Sequence, residues 1–294
     1  MLFRSDVVFG GHNIVYEAGR LLAESKPFCE GKVYADADCG FLEFERSRKF
    51  HTSAKPDEHL IVGFNVEKSF DLERKYSKTP FVPKGETRLL SRVNEVFAIQ
   101  VAGLMKRVEH VHAKTLVLGV SGGLDSTLAL LVCVEALKKL NRPASDLIAV
   151  TMPCFGTSSR TKNNAVALSE ALGCSLKEIN IKNSVLSHFK DIGQDPAVTD
   201  VTYENAQARE RTQVLMDLAN KTGGLVVGTG DISELALGWC TYGGDHISMY
   251  GVNAGVPKTL IKQMVILLGA NYSKAVAEIL RDVAETPISP ELTP

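Results

Sequence analysis

The chain has no paired-cysteine motif, no long apolar run and almost no net charge. Its six cysteines (Cys29, Cys39, Cys133, Cys154, Cys174 and Cys240) form no CxxC pair and no zinc-ligand spacing, which suits a reducing cytoplasm better than a disulfide framework or a zinc module. No apolar stretch approaches the ~20 residues that span a bilayer, and the opening MLFRSDVVFGG lacks a signal-peptide core. The expectation is a soluble cytoplasmic protein with no membrane partner. A formal charge of −1 over 294 residues leaves no overall basic footprint and speaks against nucleic acid as the partner. No internal repeat or low-complexity tract stands out. With 45% hydrophobic residues, there is ample material for a packed core in one large or two modest domains.

The most informative stretch is TLVLGVSGGLDST, residues 115–127. An apolar run suited to a buried strand leads through Ser121, Gly122 and Gly123 into an amphipathic helix opening on Leu124. Backbone N–H groups of such a loop and of the helix's first turn converge on one point, a ready site for phosphate. Glycine supplies the positive φ and close backbone approach that this geometry often needs. Asp125 and Ser126 add a carboxylate and a hydroxyl. A carboxylate beside phosphates calls for a divalent cation between them, and magnesium is the hard ion that prefers such oxygen ligands. No lysine follows the glycines, so the loop is not a Walker A motif.

From residue 114 onward, apolar runs alternate with helical periodicity. The pattern predicts strands 115–120, 146–151, 175–181 and 224–229. Helices are predicted at 124–140, 160–172, 204–221, 258–268 and 272–285, behind a long amphipathic helix over 86–112. The fold class is therefore α/β, a parallel sheet with helices on both faces, whose ligand loops share the carboxyl edge. These loops are SGG, MPCFGTSSRT (152–161) and GTGDISE (228–234). The first ~70 residues read instead as short strands (NIVYEAG, RLLAES, KVYADAD and HLIVGFN among them), followed by a proline-containing basic linker over 73–85.

Three more segments carry candidate chemistry. YENAQARER, beginning at Tyr203, sets Asn205 and Arg209 one helical turn apart, with Gln207 and Arg211 alongside. GTGDISELALG places Thr229 at a strand end and Glu234 early in the next helix. The glycine-rich stretch from Thr241 to Lys258 includes Asp245 and is too irregular for a core element. Taken alone, Arg209 and Arg211 fit a solvated or ion-paired helix face, Glu234 fits a carboxylate favoured by the helix dipole, and Lys258 fits a surface lysine. His12 and His246 have the context of hydrogen-bonding or surface histidines. Cys133, inside an apolar helix run, fits the core.

SGGLDS resembles the signature of the ATP pyrophosphatases, the PP-loop enzymes of the adenine-nucleotide alpha hydrolase-like fold. With the other three segments in this order, residues 84–294 resemble the synthetase domain of NAD synthetase. That resemblance implies ATP-dependent amidation of deamido-NAD to NAD through an adenylated intermediate, releasing AMP and pyrophosphate, with ATP and Mg²⁺ required. It implies that Ser121, Gly122, Gly123, Asp125, Ser126, Arg209, Thr229 and Lys258 bind ATP, and that Asp125 and Glu234 hold the metal. Asn205, Asp245 and Lys258 would meet deamido-NAD, Asp125, Arg209 and Lys258 would carry catalysis, and the assembly would be a homo-oligomer.

Residues 1–72 resemble the end of the nitrilase-like glutaminase domain that precedes the synthetase in glutamine-dependent members. Its Glu, Lys and Cys triad has no counterpart in these residues, and neither Cys29 nor Cys39 falls on the nucleophile position. The chain is thus expected to be an incomplete piece of a larger enzyme or the product of a shortened gene, ending at ISPELTP where the family continues, with ammonia as nitrogen donor and glutamine as its source in the full-length family. The alternatives are an inactive nucleotide-binding subunit, a GMP synthetase-like enzyme or a tRNA-modifying enzyme. The last would need a basic surface or reactive cysteines near the loop.

Overall fold

In a computed structural model, the protein is described over residues 8–28, 31–49, 77–155 and 159–286. The described residues fall into two compact units, one within residues 9–80 and one running from Phe81. The predicted strand HLIVGFN, residues 156–158 of the loop MPCFGTSSRT and the ISPELTP tail lie outside the described residues, as does Cys29.

In the smaller unit, β1 (Ile14–Glu17) and β2 (Arg20–Glu24) pair antiparallel. The turn at Ala18 and Gly19 has positive φ at both residues, 44° and 87°, the twist that matches a tight hairpin. KVYADAD, read above as a strand, forms none. It leads into α1 (Cys39–Lys49), where Asp38 Oδ1 accepts the Phe41 N–H at 2.9 Å. That cap settles the local competition in favour of a helix.

In the larger unit, α2 (Glu86–Val111) precedes alternating elements: β3 (Leu116–Gly119), α3 (Leu124–Lys139), β4 (Leu147–Thr151), α4 (Ser159–Ala171), β5 (Ser175–Glu178), α5 (Lys182–Ile192), α6 (Val201–Thr222), β6 (Leu225–Gly228), α7 (Ile232–Leu237), β7 (Tyr250–Gly251), α8 (Lys258–Leu268) and α9 (Lys274–Glu285). The strands form one parallel sheet in the order β5-β4-β3-β6-β7. Strand order reverses between β3 and β6, the position at which ligands bind such sheets.

Alternation along each strand feeds two cores. Leu116 and Leu118, Leu147 and Ala149, and Leu225 and Val227 face one core with α2, α3, α8 and α9. Val117, Ile148, Val150 and Val226 face the other with α5 and α6. The α/β expectation, with both faces covered, is met. Two local readings need correction. The strand predicted over 175–181 ends at Glu178, and α5 follows on the period Ile181, Val185, Phe189, all buried. Helix α3 is not amphipathic in its first half: Ser126 to Cys133 are all buried, because it is covered by the sheet on one side and by α2, α8 and α9 on the other. Truncating a residue such as Leu131 there would cost about 2–5 kcal/mol. Cys133 sits in this core as expected.

Among the described residues, no helix is long and apolar enough to cross a membrane.

Candidate active site

The loop after β3 folds as its glycines require. Gly122 takes φ +84°, a conformation open to glycine at little cost, while Gly123 is extended at φ −84° and precedes α3. The two serines brace the turn. Ser121 Oγ accepts the Gly123 N–H at 3.2 Å, and Ser126 Oγ accepts the Ser121 N–H at 3.3 Å while donating to the Gly123 carbonyl at 3.2 Å. Ser126 therefore fixes loop shape. The first N–H groups of α3 remain at the helix mouth, where the dipole favours an anion.

Across the strand-order reversal, β6 ends at Gly228. A Cβ there would lie 2.2 Å from Ser248 Oγ, so glycine is what lets the segment before β7 pass. Asp231 then opens α7 with a capping box. Its Oδ1 accepts the Ser233 and Glu234 N–H groups at 2.6 and 2.9 Å, and Glu234 Oε2 accepts the Asp231 N–H at 3.2 Å. This reciprocal arrangement uses one oxygen of each carboxylate and leaves the other facing Lys258, the first residue of α8.

Lys258 Nζ lies 2.5 Å from Asp125 Oδ2, 2.8 Å from Asp231 Oδ2 and 3.2 Å from Glu234 Oε1. One oxygen from each carboxylate lies within 4.8 Å of the others. At an effective dielectric of ~20, two carboxylates 4.8 Å apart repel by about 3.5 kcal/mol, while an ammonium ~3 Å from each attracts it by about 5 kcal/mol. A single lysine can therefore hold the cluster together, yet three ionised carboxylates keep a surplus of negative charge. Burial pushes Asp125 up to about 6, and Glu234 and Asp231 add to the rise, although Lys258 pulls the other way. Burial alone would weaken the Lys258 ammonium, but its contacts with Asp125 and Asp231 and the charge of Glu234 hold its pKa above the usual lysine value.

Asp125 Oδ1 is buried with no hydrogen-bond partner. An orphaned carboxylate oxygen beside two further carboxylates, all hard donors, fits a magnesium ion. Asp125, Asp231 and Glu234 are the residues that would hold it. Asp231 escaped the sequence reading because aspartate before a helix is read as a cap. The signal was the DISE spacing, which marked both carboxylates together.

A cavity of about 690 Å³ opens over these groups, within the usual range for ligand sites. Ser121, Gly122, Gly123, Asp125, Ser126, Asn205, Thr229, Glu234, Asp245 and Lys258 all line it. The fold thus gathers ten of the eleven predicted site residues, drawn from segments far apart in the chain. Asn205 accepts the Thr241 hydroxyl at 3.2 Å, and Asp245 accepts the Thr241 N–H at 2.7 Å, so both also shape the 241–246 loop. The eleventh, Arg209, is exposed outside the lining and donates from Nε to the Tyr242 carbonyl at 3.1 Å. Arg211 lines the cavity instead. His246 Nδ1–H donates to the Thr241 carbonyl, 2.8 Å away, a loop-bracing role.

A glycine loop, a helix mouth, three carboxylates and a lysine thus meet at the switch point of a parallel sheet in an α/β protein. Comparison with known proteins gives the family. Residues 96–282 match the family model of NAD synthase, and the chain belongs to that family. It is 41% identical to the glutamine-dependent NAD(+) synthetase of Mycobacterium tuberculosis (strain ATCC 25618 / H37Rv) over 309 residues, covering 99% of this chain and 46% of that protein. For the Mycobacterium leprae counterpart, identity is 40%, over 99% and 45%. The chain spans about half the length of these curated relatives. Among solved structures, a glutamine-dependent NAD+ synthetase from Acinetobacter baumannii in complex with adenosine diphosphate aligns with TM-score 0.61 and 30% identity, over 67% of this chain and 36% of that one. An NH3-dependent NAD synthetase from Campylobacter jejuni, 21% identical, shares the fold with TM-score 0.53, over 68% of this chain and 99% of that one.

Proposed function

We propose that the chain catalyses the ATP-dependent conversion of deamido-NAD and ammonia to NAD, AMP and pyrophosphate, using the cavity over Asp125 and Lys258. The observation that carries this reading is the cluster of Asp125, Glu234 and Lys258, backed by the buried Asp231, beside a glycine loop on one cavity. A relative in this family was solved with adenosine diphosphate, which supports an adenine nucleotide as ligand.

A carboxylate cannot be amidated directly, because its oxygen leaves poorly. In the first step, an oxygen of the nicotinate carboxylate bonds to the α-phosphorus of ATP while the bond to the β-phosphate oxygen breaks and pyrophosphate departs. In the second, the ammonia lone pair attacks the acyl carbon, AMP leaves with the bridging oxygen, and a proton passes to solvent. Magnesium, when bound, neutralises charge on the phosphates. The backbone N–H groups around Gly122 and the α3 mouth receive phosphate oxygens, and Lys258 opposes the charge of the departing pyrophosphate. Thr229 and Arg211 border the nucleotide, and Asn205 and Asp245 meet deamido-NAD. Arg209 acts through the Tyr242 carbonyl on the 241–246 loop that borders the cavity. No protein nucleophile is required, so rate comes from positioning and preorganised charge. Losing one such contact costs about 10²- to 10³-fold in rate.

Glutamine would be the nitrogen source where a glutaminase is present, and ammonia suffices for the residues described. The test is pyrophosphate release and NAD formation with ammonium and with glutamine in parallel. Activity with ammonium supports the proposal, and silence with both, from folded protein, overturns it.

A further inference from the structure

Asn253 is fully buried on the segment that leads from β7 to Lys258, and its amide joins the pieces of the site. Nδ2 donates to the Asp125 main-chain carbonyl at 2.9 Å and to the Thr229 main-chain carbonyl at 3.0 Å. Its Oδ1 accepts from Gln100 Nε2 at 2.9 Å, and the same Gln100 nitrogen donates to the Val252 carbonyl at 2.9 Å. Gln100 is itself buried, on α2.

The network has one consistent polarity. Asn253 must point its NH₂ at two carbonyls, so only its oxygen is left for Gln100, and Gln100 must then present its own NH₂. Turning Gln100 over would set its oxygen against two acceptors. The structure accepts a buried, unpartnered Gln100 Oε1 to keep this orientation, at a cost normally avoided in a protein interior.

Neither residue lines the cavity, yet the carbonyls they hold belong to the residue that carries the Asp125 carboxylate and to the strand end that leads into Asp231 and Glu234. The same segment continues into Lys258, whose N–H donates to Ser233 Oγ at 3.2 Å. One buried amide thus meets all three stretches that supply the charged cluster.

We infer that Gln100 and Asn253 are a positioning pair that sets the spacing of Asp125, Asp231 and Glu234 around Lys258. The catalytic consequence rests on the function proposed above. The geometric consequence does not. A displacement of about 1 Å at a site assembled by preorganisation can cost ~10²-fold in rate.

The test uses the full chain with Asn253→Ala and with Gln100→Met, which keeps length and apolar contacts but cannot donate. Thermal melting establishes that each is folded at the assay temperature. Two quantities are then read: steady-state pyrophosphate release with ATP, magnesium, deamido-NAD and ammonium, and the rate of reductive methylation of Lys258 in ligand-free protein, followed by mass spectrometry. The expected result is kcat lower by about 10- to 100-fold with KM for ATP little changed, and methylation several-fold faster as the carboxylates loosen their hold. A folded variant with wild-type kcat, or with a wild-type methylation rate, overturns the inference. If Asn253→Ala fails to fold, Gln100→Met decides. Wild-type protein that releases no pyrophosphate defeats the proposed activity, and the methylation rates alone then decide the positioning role.

Discussion

The Asp231 carboxylate serves two masters: Oδ1 caps α7 while Oδ2 lies 2.8 Å from Lys258 Nζ, with the side chain wholly buried. Helix formation therefore fixes a negative charge beside the lysine before any ligand arrives. The site is preorganised by an ordinary capping box.

Replacing Lys258 with Met leaves three neighbouring carboxylates without their counter-charge. Breaking a fully buried pair costs about 3–5 kcal/mol. With 29% of the Lys258 side chain exposed, solvent screening reduces this to about 2–4 kcal/mol. Chemical denaturation should show that loss without magnesium and a partial recovery with it, because an ion that binds only the native state stabilises it. Equal stability of Lys258→Met and wild type in metal-free buffer would contradict the electrostatic reading.

Asp231→Asn and Asp231→Ala separate the two duties of that side chain. Asparagine still caps, whereas alanine loses about 1 kcal/mol of helix capping. Both remove the charge, so isothermal titration should find magnesium binding weakened alike in the two variants. Retained magnesium affinity in Asp231→Asn would remove Asp231 from the metal set.

The two arginines should differ. Arg211→Ala, at the cavity wall, is expected to raise the KM for ATP and lower kcat/KM by about 10²-fold. Arg209→Ala removes a brace on the Tyr242 carbonyl, and its effect should fall to about tenfold, an energy in keeping with one exposed charged hydrogen bond. The opposite ranking, measured under the same conditions, would place Arg209 on the ligand.

Acid stability offers a check outside the charged cluster. Arg160 and Asn164 hydrogen-bond to Asp282 and hold its carboxyl below the usual value of 3.8. A depressed carboxylate contributes stability that is present above its unfolded pKa and lost as pH falls through the folded one. Asp282→Asn should therefore melt below wild type at neutral pH, with the gap closing as pH drops below about 4. A gap independent of pH would show that the Arg160–Asp282 pair joining α4 to α9 adds nothing through charge.

Much of this organisation was readable from the residues, for reasons that differ by element. Strands β3, β4 and β6 are near-continuous apolar runs bounded by polar turns, and α8 matched its predicted 258–268 because Pro257 and Gly269 bracket it. The SGG loop announced itself through glycine. What stayed hidden was short or distant. The bounds of helix α7 could not be read, although Glu234 was placed early in a helix, because six residues are too few for periodicity to show. Lys258 meets Asp125 only because strand order places β6 next to β3, a tertiary fact that no local pattern carries. The exchange of Arg209 for Arg211 at the cavity wall has the same origin, since helical spacing shows which residues share a face but not which face meets the ligand.

The most direct test is to follow oxygen. Deamido-NAD carrying ¹⁸O in its nicotinate carboxylate is incubated with the chain, ATP, magnesium and ammonium, and the products are examined by mass spectrometry. Adenylation at the α-phosphorus predicts NAD formation with one labelled oxygen delivered to AMP and none to pyrophosphate. Label in pyrophosphate, or NAD formed with unlabelled AMP, would contradict it.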